Sequence, residues 1–264
     1  MTDRALHDLV IRALADAPFR RSAEWRQRAL ADPERVERFA RFLARHFYFE
    51  RIVHFFKYSG ALARVTGRRP DAIFGQSAFD ALLSSLVLGS QDSARAVAGL
   101  VVAHVKSGAP SPPIPYHDDL LRYEQTMMVV EAGPRVWREP GNPKGLPGGR
   151  GQPATGNAQP QTVQGTALLD LAYDLPAVLP KLLQPFTTVP DAPARPVRLI
   201  VARSRHGRVA VAKATDAIVS ILDLADGRKT LDDLAREAGL RPAEVEATLQ
   251  GLTELGAVRF STGS

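Results

Sequence analysis

Cysteine is missing altogether from the 264 residues. That excludes disulfide staples, thiolate nucleophiles and thiolate metal sites. Long apolar runs are missing too; none approaches the roughly 20 residues that a membrane-spanning helix needs. The opening residues, Met1-Thr2-Asp3-Arg4, show no basic stretch leading into an apolar core, so no secretory signal is read there. These absences make a soluble, cytoplasmic protein without membrane contact the expectation. Charge of one sign is not concentrated either. The 34 basic and 28 acidic residues leave a net +6, and they are interspersed. Such a spread favours solvated helix faces over a patch built for an acidic partner. Apolar residues make up 45% of the chain, which suffices for the cores of two ordinary domains.

The most structured signal lies near the C-terminus, from Val197 to Phe260. Val197–Arg203 and Arg208–Lys213 are short runs rich in β-branched residues, separated by a turn that contains Gly207. That pattern predicts a hairpin. Ile218, Ile221, Leu222 and Ala225 then recur at helical spacing, and Asp226-Gly227 ends that helix. Thr230, followed by Asp232 and Asp233, predicts the start of a second helix, which stops at Gly239. Pro242 suits the first turn of a third helix lined by Val245, Leu249, Leu252 and Leu255. Gly256 stops it, and Ala257–Phe260 returns as a strand. This order is winged-helix-like.

Upstream, the chain reads as helical through about residue 132. Asp32-Pro33-Glu34 is a strong start signal for a helix rich in aromatic residues. Its Phe and Tyr side chains occupy too much of the circumference for one stripe, so a core helix is expected, with a bend at Ser59-Gly60; the alternative is that part of it faces a partner, the modifying enzyme. Residues 133–165 hold eight Gly and six Pro, the composition of a flexible linker. Thr166–Tyr173 reads as a strand, and Asp174-Leu175-Pro176 starts a short helix to Leu183. The predicted architecture is therefore α+β: a helical domain over 1–132, a Gly/Pro-rich linker over 133–165, and a recognition domain with a small antiparallel sheet and three helices over 166–264.

Two stretches resemble known families. Ala217–Leu234, with its apolar helix, "DG…T" turn and acidic helix start, is similar to the PqqD-type recognition element of ribosomally made, modified peptides (RiPP biosynthesis). The ending carried by Leu252, Leu255, Gly256 and Val258 fits as well. Such elements capture the leader of a precursor peptide as an added strand, against the third helix. The resemblance implies peptide-binding roles for Arg208, Val209, Ala210, Val211, Ala212 and Lys213, and for Val245, Leu249 and Leu252 on the helix. Tyr116–Glu124 resembles the "DL.RYE" helix of partner proteins that serve multinuclear non-heme iron oxidative enzymes, and Thr166–Leu183 resembles the segment that follows it in that group. That likeness implies a heterodimer in which the iron and the chemistry belong to the other subunit, with no cofactor in this chain. The long linker departs from those compact partners.

Catalytic signatures are sparse. His46, Glu50 and His54 lie four apart, about 40° from one another around a helix, and so share a face. The spacing matches neither H-E-x-x-H nor the Glu-x-x-His pair of di-iron bundles. A polar stripe is the preferred reading, and a metal site in the helical domain stays as an alternative. Asp118 is read as a helix cap, His104 as a core residue and His206 as solvated. The sequence thus points to a non-catalytic, peptide-binding subunit. The alternative is a winged-helix DNA-binding regulator, against which stand Glu244, Glu246 and Glu254 on the helix that would enter the groove.

Overall fold

A computed structural model describes residues 3–28, 32–108, 110, 113–134 and 159–261. The chain divides into two compact units, one formed by Met1–Ala132 with Leu175–Pro193 and the other by Gly133–Asp174 with Ala194–Ser264. Helices and small antiparallel sheets are both present, an α+β composition.

The first unit opens with α1 (Asp3–Ala15), α2 (Ala17–Arg20) and α3 (Ala23–Arg26). Side-chain caps set these short pieces: Asp16 accepts from the Phe19 N–H at 2.8 Å, and Ser22 from the Trp25 N–H at 3.2 Å. The long helix α4 (Pro33–Phe55) begins as its sequence predicts, with Pro33 at the first helical position and Asp32 accepting from the Arg35 N–H. Ala40, Ala44, Tyr48 and Ile52 recur every four residues and form its buried face. Phe39, Phe42, Phe49 and Val53 are exposed. The expected core helix is therefore buried on one side only.

The helix breaks at Phe56 rather than at Ser59-Gly60, and α5 (Lys57–Thr66) follows at once. Phe56 offers no side-chain acceptor, so the first turn of α5 is capped from a distance. A 3-10 turn (Pro70–Gly75), α6 (Ser77–Leu82) and α7 (Gln91–Lys106) lead to α8 (His117–Glu131). From α8, the Glu124 carboxylate accepts from the Tyr58 N–H at 2.8 Å and the Ser59 N–H at 3.1 Å, and also from the Ser59 hydroxyl. Glu124 is fully buried. The last residue of the "DL.RYE" stretch is thus a structural cap supplied by one helix to another. Asp118 does not cap α8; its carboxylate pairs with Lys106 at 2.9 Å.

The second unit contains β1 (Gln159–Thr162) and β2 (Ala167–Leu171). Next along the chain, α9 (Leu175–Leu182) and the residues up to Pro193, expected in the C-terminal domain, cluster instead with the helical unit. There the Tyr116 hydroxyl donates to the Pro190 carbonyl at 2.7 Å, and the Arg64 guanidinium lies 4.0 Å over the Phe186 ring. The second unit resumes with β3 (Val197–Arg203), β4 (Val209–Lys213), α10 (Asp216–Leu224), α11 (Leu231–Ala238), α12 (Pro242–Leu255) and β5 (Val258–Ser261). Thr230 and Asp233 form the reciprocal capping box of α11. Gly256 ends α12 at φ 87°, and a Cβ there would collide with the Arg203 carbonyl, so glycine is required on two counts.

The strands form an antiparallel sheet in the order β2-β3-β4 and a separate two-stranded sheet, β1-β5. Strand β1 falls inside the stretch 133–165 read as linker. Residues 135–158 of that stretch, including Trp137, lie outside the described residues. Residues 159–162 pair with β5, the Thr162 N–H bonds to the Ala225 carbonyl and the Gly227 N–H to the Pro160 carbonyl. Backbone pairing on both sides of β1 orders a polar sequence that has no apolar alternation to announce it. Ile200, Ala202, Ile221, Leu222, Leu234, Val245, Leu249, Leu252 and Val258 share one core, against which Ala212 and Ile218 are partly buried.

Candidate functional site

Strand β4 has β3 on one side and, among the described residues, no strand on the other. Its register fixes which backbone groups face the open side. The Ala214 N–H donates to the Arg198 carbonyl and the Ser204 N–H to the Arg208 carbonyl, both at 2.8 Å. These pairs extend the ladder Leu199↔Lys213 to Arg203↔Val209 by one step at each end. Antiparallel strands exchange hydrogen bonds at alternate pairs. Ala210 and Ala212 therefore turn their N–H and C=O groups toward β3, whereas those of Val209, Val211 and Lys213 point outward.

Side chains alternate in the same register. Ala212 packs against the core beneath α10, α11 and α12, on the side of Ile200 and Ala202. Val209, Val211 and Lys213 project to the opposite side, that of Leu199 and Val201. The Val209–Ala212 side chains are partly exposed, and Arg208 and Lys213 are exposed. Of the residues expected to bind peptide, Arg208 to Lys213 therefore lie together along one accessible edge. Val245, Leu249 and Leu252 do not join them. They are 0%, 1% and 3% exposed and sealed in the core. Their part is to hold α12 against the sheet.

Charge around this edge is partly neutralised from within. Asp174, 1% exposed, accepts from Arg195 and from the Lys213 ammonium. Arg195, and then Lys213, hold its carboxyl below the usual carboxylate range. Arg205, in the turn before β4, was not singled out by sequence; it sits beside Arg208 at the same end of the edge.

The polar stripe on α4 forms no metal centre in this geometry. His46 Nε2 lies 3.3 Å from Glu50, and the His54 ring packs edge-on against Phe55. Among the described residues no group of three His, Asp or Glu could hold a metal ion. The described residues also contain no helix long and apolar enough to cross a membrane. His104 receives a hydrogen bond partner in Gln76 at 2.8 Å, and His206 is exposed.

A second surface lies on α4, the aromatic helix for which the sequence left a partner-facing side as the alternative to a core helix. Phe39, Phe42, Phe49 and Val53, with His46, follow an alternating spacing of three and four along the exposed side of α4. Phe39 stacks on Phe42, and Phe42 on His46, each with ring centroids 6.4 Å apart. That spacing is the seam of a helix that packs against another helix. The signal was masked by the aromatic residues on the buried side.

No protein-family model matches the sequence, and no curated protein is significantly similar to it.

Proposed function

We propose that this chain is a non-catalytic partner protein of RiPP biosynthesis, with a PqqD-like, winged-helix recognition element in its second unit. It binds the leader of a precursor peptide by strand addition and presents it to an iron-dependent, peptide-modifying oxidase, with which it forms a cytoplasmic heterodimer. The observation that carries the reading is the outward-facing backbone of Val209, Val211 and Lys213 on β4. Unpaired edge groups supply affinity to a guest strand, and alternate side chains supply selectivity. The order of a three-stranded antiparallel sheet followed by three helices supports the resemblance drawn from Ala217–Leu234. The iron belongs to the oxidase in this reading.

The exposed seam of α4 is assigned to that oxidase, because a stripe of phenylalanines at helix-packing spacing suits a helix of a protein partner. Co-expression with an iron-dependent, peptide-modifying oxidase, followed by size-exclusion chromatography, tests the assignment. The wild type should elute with the oxidase as one complex. Phe42→Glu combined with Phe49→Glu should split it, at a cost of at least tenfold in affinity, about 1.4 kcal/mol or more. Phe42 is exposed and Phe49 half-exposed beside the Phe74 ring, so the melting temperature should fall only slightly. An intact complex in the double variant would remove α4 from the interface.

The DNA-binding alternative draws less support. Arg241, the basic residue at the start of α12, is tied to Glu244 at 2.8 Å, and Glu246 and Glu254 are exposed. A helix so acidic is poorly suited to phosphates.

A further inference from the structure

The β3–β4 hairpin carries one sign of charge. Between Val197 and Lys213 stand Arg198, Arg203, Arg205, Arg208 and Lys213, with no Asp or Glu. Three of these cations are already engaged within the unit. Arg198 lies 2.5 Å from Asp170, Arg203 donates to the Gly133 carbonyl at 2.8 Å, and Lys213 lies 3.4 Å from Asp174. The Arg205 and Arg208 guanidinium groups have no ion-pair or hydrogen-bond partner among the described residues. Both flank the turn at Gly207, where β4 begins.

Two unpaired guanidinium groups thus stand at one end of an open row of backbone donors and acceptors. On this basis, and resting on the strand-addition reading above, we infer that the guest strand is acidic, with carboxylates placed to meet Arg205 and Arg208 as its backbone pairs with Val209, Val211 and Lys213. A carboxylate matches the planar guanidinium fork in shape as well as charge. The far end of β4 offers such a guest no free cation, since Lys213 is engaged with Asp174 and Arg198 lies between Asp170 and Asp216. The acidic residues therefore sit at the turn end of the site.

The same sheet offers an internal contrast. Because even-numbered residues of β3 bond to β4, the odd-numbered ones bond to β2. The outward backbone groups of β2 are then those of Leu168 and Asp170. Asp170 is already paired with Arg198, and β2 (Ala167–Leu171) carries no arginine or lysine of its own to meet a carboxylate, which favours β4 over β2. Nucleic acid is the less suitable occupant of the two arginines. Affinity for a duplex comes from several phosphate contacts along a face, and outward strand edges offer phosphates no matching partner row.

The test uses the full-length protein and three labelled synthetic peptides. Each is a Thr- and Val-rich strand with Glu, Gln or Lys at alternate places, titrated by fluorescence anisotropy at low and at high salt. The Glu peptide should bind tightest, and its affinity should fall with salt. Removing one arginine should cost about threefold, and the double variant Arg205→Glu, Arg208→Glu about tenfold or more, at low salt. That double variant should also gain affinity for the Lys peptide, which a merely structural role would not produce. Circular dichroism confirms that the exposed substitutions leave the fold intact. Equal affinity for the Glu and Gln peptides would overturn the inference while leaving strand addition standing. No binding by any of the three would overturn both. Tight, salt-steep binding of random duplex DNA that is lost in the double variant would assign the arginines to phosphate instead.

Discussion

A proline at position 211 should abolish leader binding and leave the protein folded. The Val211 N–H points away from β3, so the pyrrolidine ring removes a donor offered to the guest and none used by the sheet. It also places ring carbons where the guest carbonyl would sit. The expected loss is at least a hundredfold in affinity, about 2.7 kcal/mol or more, from one missing bond and one steric clash in the middle of the edge. Proline at Ala212 provides the contrast. That N–H belongs to the β3–β4 ladder, so Ala212→Pro should lower the melting temperature and lose binding only as a consequence. Parity along β4 thus separates variants that report on binding from variants that report on folding. Binding of a labelled leader to Val211→Pro with wild-type affinity would remove strand addition at this edge.

The second large effect concerns stability. Glu124 satisfies two backbone donors at the start of α5 and the Ser59 hydroxyl, all from within the core. Glu124→Ala strands those donors in a buried site and should destabilise the helical unit by about 3 kcal/mol. At this size the corresponding drop in melting temperature is roughly 6–12 °C. Glu124→Gln keeps an acceptor for the two N–H groups and should lose much less.

The same residue makes a pH prediction. Burial pushes the Glu124 carboxyl up to about 8, against the opposing pull of the Ser59 and Tyr58 hydrogen bonds. Its value in an unfolded chain is 4.5. Between those limits the folded protein holds a proton that the unfolded chain releases. This contribution to stability is therefore complete below about pH 4.5 and is lost as the pH rises through about 8. Glu124→Gln cannot titrate. Urea midpoints of the two proteins should converge in mild acid, and the wild type should fall behind as the buffer becomes alkaline. A constant difference across that range would contradict a shifted Glu124.

Local chemistry made the C-terminal unit easy to read. Thr230, Pro242, Gly239 and Gly256 each do at their helix ends what their side chains or their lack of one suggest. Asp32-Pro33 and Ser90 mark helix starts in the same local way. What sequence could not show is set by distant partners. The break at Phe56 depends on Glu124, a residue 68 positions further along the chain. Strand β1 owes its order to β5 and to the turn after α10, not to its own Gln-Pro-Gln-Thr sequence. The short helix α9 joins the helical unit, although the chain on either side of Leu175–Pro193 belongs to the other.

The candidate site divides along the same line. A run of β-branched residues after a Gly turn was enough to place Val209–Lys213 on a strand, with Arg208 just before it. That this strand lies at an edge follows only from the sheet order. Apolar periodicity identified the inner face of α12, and that very periodicity buries Val245, Leu249 and Leu252. Apolar spacing marks what a fold needs and is silent on what a partner touches. Arg205 and Arg208 carry the opposite kind of information. Their significance lies in the absence of acidic neighbours, which appears only once the pairs of Arg198, Arg203 and Lys213 are known.

Amide hydrogen exchange, resolved residue by residue with and without the precursor leader, tests strand addition most directly. In the free protein, the Ala210 and Ala212 amides should already be protected, while those of Val209, Val211 and Lys213 exchange quickly. Adding leader should protect the latter three and leave Ala210 and Ala212 unchanged. Protection of Val209, Val211 and Lys213 before any peptide is added, or unaltered exchange at saturating leader, would contradict the account.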